Sequence, residues 1–234
     1  SLQDPWRSHD ANVNATIRLL ESCRAAGVRR VVYSSSSSVY GDTPTLPKVE
    51  DVEPLPRSPY AVTKLAGEQY VLAYARAGLV EGVALRYFNV FGPRQSPVGA
   101  YAAVIPRIMA AARDGGTLEI FGDGEQTRDF TYVDNVVQAN LLAARGDAAR
   151  VSGWPCNVGT GGRISLLDLV ALARRVSGHP IAVVHRAPRA GDVRDSRAGL
   201  ERAAQVLGYA PAVSLEEGLR RTWAWFADGA ARVA

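Results

Sequence analysis

The run Tyr33-Ser34-Ser35-Ser36-Ser37-Ser38-Val39-Tyr40-Gly41 is followed, after a polar loop, by Ser58-Pro59-Tyr60-Ala61-Val62-Thr63-Lys64. The first half reads as a buried strand, Val31-Val32-Tyr33, that breaks into a hydroxyl-rich loop. The second half reads as a helix start. Ser58 can cap it, and Pro59 suits the first helical position, where a backbone N–H would go unbonded anyway. Tyr60 and Lys64 are then four residues apart on one helix face. A free phenol, with a pKa of about 10, is a poor base at neutral pH. An ammonium nearby favours the phenolate, and a serine hydroxyl at the strand end can share the same substrate oxygen, which together make a general acid/base. A packed tyrosine and a solvated lysine would show the same spacing. What raises the signal is its company: the serine run, the Ser-Pro start and the later Arg86-Tyr87-Phe88-Asn89.

Outward from that stretch, apolar residues at helical spacing predict a helix over Asn12–Ala26, after an N-terminal loop at Ser1–Pro5 and before a stop at Gly27. Val28–Tyr33 is an expected strand, buried on both faces as in a parallel sheet. The prolines of residues 41–57 predict an irregular loop. The Tyr60 helix is expected to reach Arg76, and Gly82–Phe88 to form the next strand. Helix and strand alternate, so the expected fold class is α/β, a doubly wound parallel sheet of Rossmann type with a smaller α+β part. Further on, the pattern predicts helices over Val104–Arg113 and Val133–Ala144 and short strands at Leu118–Phe121, Cys156–Val158 and Pro180–His185. Ser165-Leu166-Leu167-Asp168 and Ser214-Leu215-Glu216-Glu217 read as capping boxes that open two more helices.

Composition excludes several classes. Of 27 cationic residues only Lys48 and Lys64 are lysines, and the arginines are dispersed without interleaved aromatics, which argues against nucleic-acid binding. Two cysteines, Cys23 and Cys156, cannot build a disulfide framework. Three histidines show no ligand spacing, so no metal is expected. No apolar run approaches membrane-span length and no signal peptide is visible, so no membrane association and a cytoplasmic location are expected.

From Ser1 to about Phe226 these motifs resemble the extended short-chain dehydrogenase/reductase family, and within it the nucleotide-sugar (UDP-glucose and UDP-N-acetylglucosamine) 4-epimerases. The resemblance implies a catalytic set of Ser36, Tyr60 and Lys64, with the five-serine run leaving the serine open by one position. It implies NAD as cofactor, with Ser34, Tyr60, Lys64 and Tyr87 at the nicotinamide end. For the substrate it implies Ser36, Ser37 and Ser38, Asn89, Ala103, Val104, the phosphate-binding Arg128 and Arg189, the ribose-binding Asp192 and, less strongly marked, Arg163. A planar guanidinium suits phosphate oxygens bidentately. Ser196 would line the sugar pocket, where a small residue leaves room for a 2-acetamido group. The implied domains are 1–91, with 128–160 returning to it, for the dinucleotide, and 92–127 with 161–234 for the nucleotide-sugar. The helices at Asn12–Ala26 and Tyr60–Arg76 resemble those of a four-helix homodimer interface.

The resemblance also exposes a difference. The glycine-rich turn that holds a dinucleotide pyrophosphate does not occur in this sequence; at ~30 residues per βαβ unit, roughly 80 residues carrying it are expected ahead of Ser1. The expected function is NAD-dependent 4-epimerisation of a UDP-hexose through a 4-keto intermediate. The alternatives are UDP-glucuronate 4-epimerisation, nucleotide-sugar dehydration or decarboxylation, and an inactive fragment that binds nucleotide-sugar only. Ser37-Ser38 stands where dehydratases of the family carry Asp-Glu. Arg86-Tyr87-Phe88-Asn89 differs from the Arg-Phe-Phe-Thr usual in glucuronate epimerases.

Overall fold

A computed structural model of the chain describes residues 1–99, 102–188 and 193–229. Helix α1 (Pro5–His9) runs through a π-helical turn (Asp10–Asn14) into α2 (Ala15–Ala25). This helix starts earlier than the apolar periodicity predicts. The Asp4 carboxylate accepts the Arg7 N–H at 2.9 Å, and Pro5 occupies the first turn. Strand β1 (Arg30–Ser36) carries Ser34, Ser35 and Ser36 as strand, not loop; Ser37–Tyr40 then form a 3-10 turn. Helix α3 (Pro59–Arg76) is capped as expected, the Ser58 hydroxyl accepting the Ala61 N–H at 3.2 Å.

Strands β2 (Glu81–Tyr87) and β3 (Val90–Phe91) follow, then α4 (Val104–Asp114), β4 (Thr117–Phe121), β5 (Thr127–Arg128) and β6 (Thr131–Tyr132). Helices α5 (Val133–Arg145) and α6 (Ala148–Val151) lead to β7 (Pro155–Val158) and β8 (Ile164–Ser165). The chain continues through α7 (Leu166–Ser177), β9 (Ala182–Arg186), α8 (Glu201–Leu207) and α9 (Leu215–Gly229). Ser165 and Ser214 cap α7 and α9 through the N–H groups of Asp168 and Glu217, as their capping boxes predict.

The principal sheet is parallel, in the order β1-β2-β7. The central strand β2 is buried almost throughout, whereas β1 is half-buried. The expectation that Val28–Tyr33 is buried on both faces fails: Val28 is exposed and Arg30–Tyr33 are only half-buried, and among the described residues β1 is an edge strand. Alternation along β2 separates the two layers of helix. Val83 and Leu85 pack with Val136, Ala139 and Ala143 of α5, and the Tyr87 hydroxyl donates to Asn140 Oδ1 at 3.0 Å. Gly82 and Arg86 face α3 instead. A Cβ on Gly82 would come within 2.7 Å of the Val71 carbonyl oxygen, and Arg86 pairs with Glu68. Helices thus cover both faces, and the sheet is doubly wound.

A second core joins α4, α7 and α9 to the parallel pair β4–β9, around Phe91, Ile108, Met109, Leu169, Leu219 and Phe226. The Leu219, Trp223 and Phe226 stripe of α9 packs into this core. The antiparallel pair β5–β8 and the parallel pair β3–β6 connect the two regions. Among the described residues no helix is long and apolar enough to cross a membrane, and no group of three His, Cys, Asp or Glu is placed to hold a metal.

Candidate active site

Parallel strands end where ligands bind in open α/β sheets, because the chain departs to opposite sides and leaves a crevice. Here β1 ends at Ser36 directly beside Tyr87 at the end of β2. A cavity of about 390 Å³ opens at this edge. It gathers Ser36, Ser37 and Ser38, Tyr60, Tyr87, Asn89, Arg128 and Ser196 from separate parts of the chain.

The serine loop is internally braced. Ser36 Oγ accepts from the Ser38 N–H at 3.2 Å and from the Ser38 hydroxyl at 2.9 Å, so its own proton remains to be donated. Gly41 closes the loop at φ 61°, ψ −147°, a region open essentially to glycine. Tyr60, at the exposed start of α3, keeps 43% of its surface and faces the cavity that Ser36 lines. Lys64, one turn on, lies outside the cavity lining. Its ammonium sits 4.7 Å from the centre of the Tyr33 ring, and burial holds its pKa below the ordinary lysine value. The Tyr33 phenol is pushed up to about 12, mainly by burial.

Tyr87 is oriented by Asn140 and by Ser34, whose Oγ lies 3.2 Å from the phenolic oxygen. Asn89 adopts φ 22°, a conformation asparagine tolerates better than most residues. Its amide donates to the Asp129 carbonyl at 2.9 Å. Asp129 itself is buried, and burial raises its pKa. Its carboxylate accepts the N–H groups of Thr160, Gly161 and Ala198 and the Thr160 hydroxyl. That hub ties β5 and β6 to the segment carrying Ser196, whose N–H donates to the Thr127 carbonyl at 3.1 Å.

A smaller cavity of about 180 Å³ shares Asn89 and Arg128 with the first and adds Val104, Arg107 and Phe121. Val104 lines this smaller cavity, while Ala103 precedes α4 and lines neither. Arg163 is exposed and lines neither. Arg189 and Asp192 lie outside the described residues.

Sequence reasoning did not single out Ser35, Gly41, Lys48, Val90 or Val193, which also line the larger cavity. Lys48 is 2% exposed and donates to the Thr43 side chain and carbonyl; its backbone pairs with the segment at Arg197 and Gly199. Burial lowers its pKa, opposed by the charges of Asp42 and Asp195. Its rarity in an arginine-rich chain was the available signal.

Of the residues expected at the nicotinamide end of NAD, Tyr60 and Tyr87 line the cavity and Ser34 reaches Tyr87, while Lys64 stands over the Tyr33 ring outside the lining. Residues 1–159 match the model of the NAD dependent epimerase/dehydratase family. A UDP-glucose 4-epimerase of Mycolicibacterium smegmatis is 42% identical over 227 residues, 97% of this chain and 71% of that protein. The UDP-N-acetylglucosamine 4-epimerase of Methanobrevibacter ruminantium, solved with UDP-N-acetylmuramic acid, superposes with a TM-score of 0.90 at 36% identity, covering 97% of this chain and 72% of that one. MoeE5, solved with UDP-glucuronic acid and NAD, superposes with a TM-score of 0.85 at 41% identity, over 95% and 72% of the two chains. With this agreement in sequence and fold, the chain belongs to the NAD-dependent epimerase/dehydratase family.

Proposed function

We propose that this chain carries the reacting groups and the nucleotide-sugar site of an NAD-dependent UDP-hexose 4-epimerase. The substrates are the UDP-N-acetylglucosamine and UDP-N-acetylgalactosamine pair or the UDP-glucose and UDP-galactose pair. The observation that carries it is the single cavity in which Ser36, Tyr60, Tyr87, Asn89, Arg128 and Ser196 meet although they are far apart in sequence.

Tyr60, as phenolate, takes the proton of the sugar 4-hydroxyl, and Ser36 donates a hydrogen bond to the same oxygen. Bound NAD supplies reversible hydride acceptance at C4. Lys64, one turn from Tyr60 on the same helix face, would hold the nicotinamide ribose of bound NAD and favour the Tyr60 phenolate by its charge. Arg128 and Asn89 hold the diphosphate and its neighbouring sugar, so that binding is strongest away from C4. The 4-keto sugar is then free to turn about its diphosphate and present its other face, and Tyr60 returns the proton. Ser196 leaves space at the sugar for a 2-acetamido substituent. In this assignment residues 1–91 with 128–160 form the dinucleotide-binding domain, and 92–127 with 161–234 the nucleotide-sugar domain; the cores follow it for Val83, Val136 and Val158 on one side and Ile108, Leu118 and Leu169 on the other, but Ala203, Leu207 and Tyr209 pack in the first core and Phe91, Phe130 and Tyr132 in the second.

One observation favours a second reading, UDP-glucuronate 4-epimerisation: the cavity wall includes a cationic residue, Lys48, which would suit a carboxylate. Rates with UDP-glucose, UDP-N-acetylglucosamine and UDP-glucuronate, measured side by side in the full-length protein, separate the two. The expected order puts both neutral sugars at least about tenfold ahead of the uronate in kcat/KM, a difference of about 1.4 kcal/mol in transition-state binding. Preference for the uronate would replace the first reading by the second.

The protein is further assigned to the cytoplasm as a homodimer, joined through α2 and α3. Leu19 on α2 and Val62 and Tyr70 on α3 are exposed apolar side chains on helices that already pack together, which supports this surface. Light scattering of the full-length protein should return twice the protomer mass, and a monomer at micromolar concentration would remove the assignment.

A further inference from the structure

The mechanism leaves unused a charged pair buried beneath the site. Glu68 is 0% exposed and Arg86 2%. Arg86 Nε and Nη2 donate to the two oxygens of the Glu68 carboxylate at 3.0 and 2.6 Å, a bidentate grip. Ser35, next to Ser36, donates its hydroxyl to Glu68 Oε2 at 2.6 Å. Arg86 Nη1 donates to the Tyr40 hydroxyl at 2.8 Å, which donates on to Asn157 Oδ1 at 2.7 Å. Burial disfavours the Arg86 charge, but the Glu68 carboxylate and the Tyr40 phenol together more than offset it and raise the guanidinium pKa.

Such a pair is a poor way to gain stability. Well-packed apolar residues of similar volume are often as good or better, because two charges must leave water. What it adds is geometry. Hydrogen bonds fix distance and direction, whereas an apolar contact lets a helix slide.

The elements it joins are those that carry the chemistry. Glu68 lies one helical turn beyond Lys64 and two beyond Tyr60 on α3. Ser35 lies at the end of β1, and Arg86 opposite it on β2. The fit is close throughout: a Cβ on Gly67 would come within 2.2 Å of the Tyr33 hydroxyl, which donates to the Lys64 carbonyl at 3.4 Å.

We propose that Glu68 is a positioning residue: held by Arg86 and Ser35, it sets the separation between the strand end that carries Ser36 and the helix that carries Tyr60 and Lys64. The assignment rests on Tyr60 and Ser36 being the reacting pair, so both are tested together. In the NAD-loaded full-length protein, Ser35→Ala cuts the link and leaves the Glu68–Arg86 pair intact. It is expected to stay folded with Tm lowered by several degrees, the usual effect of losing one buried hydrogen bond to a charged group. Its kcat for UDP-glucose should fall about tenfold or more, because a misplacement of about 1 Å costs up to ~100-fold. Its KM should move less than about twofold, since Arg128 and Asn89 are untouched. Ser35→Thr, which keeps the hydroxyl, should recover most of the rate.

Glu68→Gln keeps the shape but weakens the grip, and being wholly buried it cannot act by touching the sugar. If folded, it should repeat the loss in kcat at unchanged KM; if it does not fold, the Ser35 pair of variants decides. A folded Ser35→Ala or Glu68→Gln protein with the parent kcat overturns the proposal, as does a loss split equally between kcat and KM. Tyr60→Phe runs alongside. A parent rate there would instead remove the assignment of the reacting pair.

Discussion

Tyr60→Phe in the full-length, NAD-loaded protein is expected to lower kcat by about 10²–10⁴-fold, the usual contribution of a positioned general acid/base. The substitution removes one oxygen from a side chain that keeps 43% of its surface at the cavity edge, so it leaves no hole in a core and no buried partner unpaired. Stability should therefore change by no more than about 0.5 kcal/mol, as at an ordinary exposed site. KM for the UDP-sugar should change little, because the lost oxygen is assigned to the sugar 4-hydroxyl, whereas Arg128 and Asn89, assigned to the diphosphate, are unaltered. The measurement is steady-state conversion of UDP-glucose together with thermal unfolding of the same preparation. A folded variant with the parent kcat would show that another group moves the proton.

Gly41→Ala acts by a different route, with an expected loss of stability of roughly 3 kcal/mol or more. Two costs add. The backbone at φ 61°, ψ −147° is a region that a residue with a side chain enters at about 1–3 kcal/mol. The new Cβ would also sit 2.0 Å from the Leu55 carbonyl oxygen, so the 54–57 loop must move, at about 1–3 kcal/mol for such overpacking. For a chain of this size that lowers Tm by roughly 6–12 °C. Because Gly41 lines the cavity beside the serine loop, kcat should fall as well. Gly78→Ala is the control. It has the same sign of φ, at 68°, but nothing within 4 Å of its Cβ, so only the left-handed penalty of about 1–2 kcal/mol applies. Thermal unfolding of both variants tests the account, and equal losses at the two positions would contradict it.

The contrast between those glycines marks how far the sequence could be read. Gly27, Gly78 and Gly178 end helices at positive φ, and their role is visible locally because a helix stop needs only its own chain. Gly41 has the same appearance in sequence, but its importance comes from a carbonyl fourteen residues away. Ser58 and Pro59 announced α3 for the same local reason, and with it the placing of Tyr60 and Lys64 on one face. Asp4 and Pro5 carried an equally local signal for α1; the apolar periodicity, broken by the π-helical turn, concealed it.

The candidate site divides in the same way. Tyr60, the serines, Asn89, Arg128 and Ser196 were legible because they sit in motifs, and the cavity brings them together. Lys48, Ser35 and the partners of Glu68 were not. Ser35 and Glu68 are 33 residues apart, Glu68 and Arg86 18, Tyr40 and Asn157 117, and no periodicity couples such positions. Lys64 shows the limit most directly. Its place on the helix follows from counting residues, while its ammonium over the Tyr33 ring, outside the cavity lining, follows from how α3 packs on β1. By itself the sequence determined what depends on neighbours along the chain: caps, stops, strand and helix periods, and the residues able to exchange a proton. Only the tertiary structure decided which of them share a cavity and which buried charges hold them there, because those distances are set by packing between segments that the chain order does not place side by side.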